Sequence, residues 1–133
     1  MDLHELSIRQ AHELLSSREI SSEELTRAHL DRIQKLDPQI KSYVTVAGEI
    51  ALEQARQADK RIKSNENLSP LTGIPYCAKD SISTRGVNTT CSSKILENYE
   101  PFYDSTAIQK LKSTNAVLLG KNNMDEFGMG SST

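Results

Sequence analysis

Apolar residues recur every three to four positions through the first half of the chain and gather into short unbroken runs in the second. Ile8, Ala11, Leu14 and Leu15 fall on one helical face. Ser7 with Gln10 sets a capping box before them, because the serine oxygen and the glutamine side chain satisfy open amide groups. Ser21 with Glu24 is a second box, opening a helix that turns Leu25, Ala28, Ile33 and Leu36 inward. Asp37-Pro38 is expected to end that helix, since proline disfavours a helical residue before it. The two helices, joined through Arg18–Ile20, form a helical hairpin. Its bland role is packing on the rest of the protein, and the alternative is a docking surface for a partner. Ser42 to Val46 reads as extended, and Ala47, Ala51, Ala55, Ala58 and Ile62 predict a third helix with a solvated Glu, Gln, Arg and Lys face.

The polar stretch Ser64–Ser69 reads as a loop. Ile74–Ala78 is a strand of the buried kind, followed by a turn at Arg85–Val87 and an extended loop at Asn88–Ser93. Ser105 to Lys112 is a helix capped by Asp104, with Ala107, Ile108 and Leu111 inward. Ala116–Leu119 is a second buried strand, ending at Gly120. A strand, a connection with a helix, and another strand follow the βαβ logic of an α/β fold. The chain reads as one unit, residues 1–133, with 1–64 mostly helical and 70–133 the start of an α/β core.

Composition narrows the classes. Hydrophobic content of 36%, aromatic content of 5% and no tryptophan make a lean core for 133 residues. A piece whose apolar faces await further sheet and helices would look the same. The net charge of −2 comes from 16 basic and 18 acidic residues with no basic stripe, which argues against direct nucleic-acid binding by this segment. Cys77 and Cys91 lack metal-type spacing, and no signal peptide is expected, so the setting is a reducing cytosol without a disulfide. His4, His12 and His29 are spread over the helical hairpin and read as solvated or capping rather than metal-ligating. No stretch is long enough to span a membrane. Gly120-Lys121 is not a phosphate-binding loop, because Asn115 and Asn122 stand where a glycine and a hydroxyl residue would be needed.

The candidate chemistry centres on Lys79. It ends an apolar run, where an ammonium is costly because removal from water disfavours the charged form. A lysine that snorkels past the strand end into water is the alternative. Successive strand residues face opposite ways, so Asp80 should diverge from Lys79 and support a turn or a cap. Around Lys79 stand, in order, Pro70 to Pro75 (PLTGIP), Lys79-Asp80, Thr89-Thr90, Ser92-Ser93-Lys94, Asp104-Ser105-Thr106, Gly120-Lys121 and Met124-Asp125-Glu126-Phe127.

This ordered set resembles the amidase signature family, over the whole chain. The resemblance implies an α/β fold in which amino-terminal helices precede the first strands and helices of an amidase-signature mixed sheet, incomplete here. It implies catalysis by a lysine and two serines, with Lys79 as the lysine. A nucleophilic serine passes its proton through a bridging serine to a lysine that is neutral when it acts. Both serines belong to motifs that lie further along a family chain. Ser131 and Ser132 are not those serines, so the 133 residues alone are expected to be inactive. The polar Thr89, Thr90, Ser92 and Ser93 either line the cleft or satisfy their own loop. Relatives often carry glycine in that loop where this chain has Cys91-Ser92.

The DLHELSIRQAHELL start and the DEFGMGSST ending favour, within the family, the branch of glutamine-hydrolysing A subunits of tRNA-dependent amidotransferases. That branch implies glutamine as substrate and ammonia passed to a B subunit, which holds ATP with its magnesium and the tRNA. A small C subunit would wrap both. The product would be amidated Glu-tRNA(Gln) or Asp-tRNA(Asn), made in the cytoplasm. The alternatives are a family hydrolase of another small amide and a non-catalytic interaction module.

Overall fold

The computed structural model describes residues 2–130. Among them the main elements are α1 (Ile8–Ser17), α2 (Ser22–Ile40), β1 (Tyr43–Val46), α3 (Gly48–Ser64), β2 (Pro75–Lys79), α4 (Thr106–Ser113) and β3 (Val117–Asn122). The strands form one mixed sheet in the order β1-β3-β2. β2 runs parallel to β3 and β1 antiparallel to it. The βαβ expectation therefore holds, and the early extended piece joins the same sheet at its other edge.

Both capping boxes form. Ser7 and Ser21 each accept the amide of the third helical residue, and the Gln10 and Glu24 side chains return the bond. A second carboxylate at the start of α2, Asp59 of α3, accepts the Ser22 amide at 2.7 Å and the Glu23 amide at 3.1 Å. The start of α2 is thus tied to α3 by charge-assisted bonds to its open N–H groups.

Several boundaries differ from the sequence reading. α2 does not stop at Asp37-Pro38 but runs through Pro38 to Ile40. Pro38 lies in the last turn, where its missing N–H costs a single intrahelical bond. Asp37 then locks the exit: its carbonyl accepts Lys41 N at 2.7 Å and its carboxylate accepts Ser42 N at 2.8 Å. The cap of α4 is Ser105, not Asp104. Asp104 instead accepts the Arg85 amide at 2.8 Å and the Lys112 ammonium at 2.7 Å. Burial raises the Asp104 carboxyl, but the Lys112 and Arg85 bonds outweigh it and hold it below the usual range. Ile8 (60% exposed) and Ala107 face solvent.

α3 is the central helix. Ala51, Ala55 and Ala58 are fully buried, and Ala51 and Ala55 rest on Val117 and Leu119 of β3. The absence of bulk along this stripe lets helix and sheet approach closely. Ile62, one turn on, enters a second cluster with Ala11, Leu15, Leu25 and Ile74. Ala78, Val87, Ile108 and Leu118 form a third cluster on the opposite face of the sheet. The Gln54 side chain accepts the Leu118 amide at 2.8 Å.

One irregularity of the sheet sets the facing of the side chains beyond it. Tyr76 pairs with Leu118 but Cys77 pairs with Gly120, so Leu119 is an extra residue on β3. Such a bulge shifts the side-chain alternation by one. Strict alternation from Val117 and Leu119 would carry Lys121 to the α3 face. After the bulge Lys121 pairs with Ala78 and shares the face of Leu118, Ala78 and Asp80. Gly120 makes the bulge possible: a Cβ there would lie 2.2 Å from the Thr45 carbonyl oxygen. β3 accordingly continues past the expected end at Gly120, to Asn122.

Candidate active site

Parallel β2 and β3 deliver their following loops to one end of the sheet, the end at which open α/β sheets bind ligands. Lys79 is the last residue of β2 and stands opposite Asn122. The expected unbroken burial of this strand is not found. Ile74 and Ala78 are buried, but Cys77 and Lys79 are exposed on the other face. β2 is an edge strand, and within the described residues only the face carrying Ala78 is covered. On the open face the Tyr43 ring lies over Gly120, its Cδ1 3.1 Å from where a Cβ would stand. Burial, and after it the neighbouring Cys77 thiol, push the Tyr43 hydroxyl well above its ordinary pKa.

Asp80 diverges from Lys79 as alternation requires, and is fully buried. Its Oδ2 accepts the Thr90 hydroxyl and, at 3.1 Å, the Ser92 amide. Its own N–H donates to Asn122 O at 3.1 Å, and its carbonyl accepts Cys91 N at 3.1 Å. The structural-support reading of Asp80 is therefore the observed one.

The group that sequence reasoning passed over is Lys121. It is fully buried, donates to Ile82 O at 2.7 Å and to Thr89 Oγ1 at 2.8 Å, and stands 3.9 Å from Asp80 Oδ1. That oxygen, also buried, has no hydrogen bond. Burial pushes the Lys121 pKa down, while the charges of Asp80 and Cys91 oppose the shift. No local signal marks Lys121, because its placement depends on the bulge one residue earlier.

The hydroxyls of the loop after β2 are engaged in hydrogen bonds, several of them to the loop after β3. Thr89, Thr90 and Ser93 are buried. Thr89 donates to Val87 O at 3.2 Å and Ser93 to Glu126 Oε1 at 2.7 Å. Ser92 Oγ donates to Asn123 Oδ1 at 2.9 Å and accepts Met124 N at 3.1 Å, joining this loop to the one after β3. Only Thr89 donates to its own loop's backbone; Thr90, Ser92 and Ser93 donate to the side chains of Asp80, Asn123 and Glu126, and the same three residues line a surface cavity with Asn88 and Asn123. Cys91 (φ 51°) and Ser92 (φ 53°) both adopt left-handed backbone. The loop thus keeps the conformation that glycine favours although neither residue is glycine.

Both cysteines are free. Asp2, His4 and Glu5 bring their ligand atoms within 4.8 Å of one another, a surface trio of a kind common without an ion. His29 is half-buried, which with the charge of His4 lowers its pKa. Ser131 and Ser132 lie outside the described residues. No helix among the described residues is long and apolar enough to cross a membrane.

The sequence model of the amidase family matches residues 24–133. The chain belongs to the amidase family. Among its relatives in that family, the A subunit of glutamyl-tRNA(Gln) amidotransferase from Dehalococcoides mccartyi strain CBDB1 is 58% identical over 132 residues, 99% of this chain and 27% of the relative. The protein of the same name from Desulfatibacillum aliphaticivorans is 57% identical over 133 residues, again 27% of its length. This amidase chain therefore spans about a quarter of the curated relatives it matches. Solved structures agree in fold. The Thermotoga maritima protein of that name superposes with a TM-score of 0.75 at 37% identity, covering 98% of this chain and 25% of that one. The peptide amidase of Stenotrophomonas maltophilia gives 0.87 at 29% identity, covering 92% and 26%. The α/β class, with amino-terminal helices leading into part of an amidase-family mixed sheet, is the observed one.

Proposed function

We propose that this chain is the amino-terminal part of the amidase subunit of a glutamine-hydrolysing Glu-tRNA(Gln) amidotransferase. The observation that carries this is the 58% identity to such a subunit, sustained along 99% of the chain. In the intact protein, Lys79 is the base. A serine from a later segment attacks the glutamine side-chain carbonyl. Its proton passes through a bridging serine to the Lys79 amine, then goes to the departing nitrogen as the C–N bond breaks. Ammonia leaves, and water hydrolyses the acyl-serine to glutamate. The uncovered face of β2 at Cys77 and Lys79 is where such a segment would pack.

The ammonia is used by a B subunit that binds ATP, magnesium and the aminoacyl-tRNA, with a C subunit spanning both, in the cytoplasm. Asp-tRNA(Asn) is a second substrate of the same chemistry. The 133 residues alone lack both serines and are inactive. The better superposition on a peptide amidase than on the Thermotoga amidotransferase protein favours a second reading, a hydrolase of another small amide. Lys79→Ala in the full-length protein, in complex with its partners, tests the first. Glutamine hydrolysis should fall by roughly 10²–10⁴-fold with the melting temperature unchanged, as for loss of a general base. Near-normal turnover would sink the assignment of Lys79. Hydrolysis of a peptide amide but not of glutamine by the parent would favour the second reading.

A further inference from the structure

We propose that Lys121 is a positioning residue for Lys79, acting through the turn at Asp80–Ile82. This rests on the reading of Lys79 as the base. The link is short. The Lys79 carbonyl accepts the Ile82 amide at 2.9 Å, and the Ile82 carbonyl accepts Lys121 Nζ at 2.7 Å. Lys121 Nζ also bonds Thr89 Oγ1 and stands 3.9 Å from the buried Asp80 Oδ1. Asp80 in turn holds Thr90 and the Ser92 amide. One ammonium thereby fixes the turn that leaves Lys79, the loop beside it, and the carboxylate between them.

Stability alone is a poor account of such a group. A buried ammonium and carboxylate lose hydration that their attraction only partly returns, and apolar replacements of similar volume are often as stable or more so. What the pair supplies is a fixed backbone at the residue after Lys79. Errors of about 1 Å in such placement cost a reaction on the order of a hundredfold. Lys121 is fully buried, so it positions rather than touches substrate.

The test is Lys121→Met in the full-length protein, in complex with its partners. Thr89→Val is a milder cut that removes one acceptor of the ammonium and leaves the charge pair. Glutamine hydrolysis is measured well below both melting temperatures. With Lys121→Met, kcat should fall about 10- to 100-fold while KM for glutamine stays within about threefold, the size of effect seen when outer partners of a reactive group are lost. Thr89→Val should lower kcat in the same direction by a smaller factor. A merely structural role would lower the melting temperature and leave kcat per folded enzyme within about twofold, and that result overturns the proposal. Where Lys121→Met does not fold, Thr89→Val decides in the same terms. Lys79→Ala, run in parallel, separates the two ideas. If it keeps turnover, the base assignment falls and the positioning role with it. If it is inactive while the other two variants keep kcat, only the positioning role is lost.

Discussion

Replacing Gly120 by alanine should distort the sheet at its centre. The added Cβ would stand 2.2 Å from the Thr45 carbonyl oxygen, and 3.1 Å from both the Val46 Cα and the Tyr43 ring. Even a favourable C–H···O contact needs roughly 3.3 Å, so β1 must retreat by about 1 Å. β1 pairs with β3 at Tyr43 with Asn122, Thr45 with Lys121 and Val46 with Gly120, flanked by the bonds from Ala47 N to Leu119 O and from Asn123 N to Ser42 O. Overpacking of this kind costs about 1–3 kcal/mol. Each ladder bond lost adds about 0.5–1.5 kcal/mol. A total of roughly 3–5 kcal/mol results, which at about 2.1 cal/mol/K of unfolding entropy per residue is a fall of about 3–5 °C in the melting temperature of a protein of the relatives' length. The assay is a thermal melt of the full-length protein by circular dichroism, with Gly86→Ala as the comparison. Gly86 also has positive φ (79°) but nothing within 4 Å of its Cβ, so only the backbone strain of about 1 kcal/mol applies. Equal small shifts for the two variants would refute the claim that β1 closes over Gly120.

Two further outcomes concern the helices. Ser21→Ala removes the side-chain half of the α2 cap and should cost about 1 kcal/mol, read as a lower melting temperature. An unchanged melt would mean that the Asp59 carboxylate alone suffices. The folded pKa of His29 is depressed below 6.5, so the unfolded chain takes up the proton first as pH falls. Its contribution is present above pH 6.5 and is lost as pH drops through the folded value. His29→Gln should therefore lose less stability than the parent on acidification below pH 6.5, and parallel stability–pH curves would refute this.

What the sequence revealed, it revealed through period and local chemistry. The alanine stripe of α3, both capping boxes and the βαβ order needed only the spacing of residues on the chain. The opposed faces of Lys79 and Asp80 needed only the two-residue period of a strand. The misplaced features depend on partners outside the period of a single helix or strand. Asp104 and Ser105 are both good caps, and Lys112 together with the Arg85 amide draws Asp104 away. Pro38 is tolerated because Asp37 closes the chain back through Ser42. The exposure of Cys77 comes from β2 lying at the edge of the sheet, which no run of apolar letters discloses.

Lys121 is the sharpest case, since the bulge before it decides which face of the sheet its ammonium enters. The sequence reading put the costly amine at Lys79, with snorkelling into water as the alternative, and ended the second strand at Gly120, before Lys121. In the fold Lys121 is sealed, with its protons committed to Ile82 O and Thr89 Oγ1, and Lys79 stands on an open face. A base must be reached by the hydroxyl whose proton it takes, within about 3 Å or through one water. A fully buried ammonium already engaged with two acceptors offers no such approach. Of the two, only Lys79 lies where a serine from another segment can arrive. On the proposed reading of Lys79 as the base, the segment that brings the serine also covers this face, and base and nucleophile would be completed in one packing event.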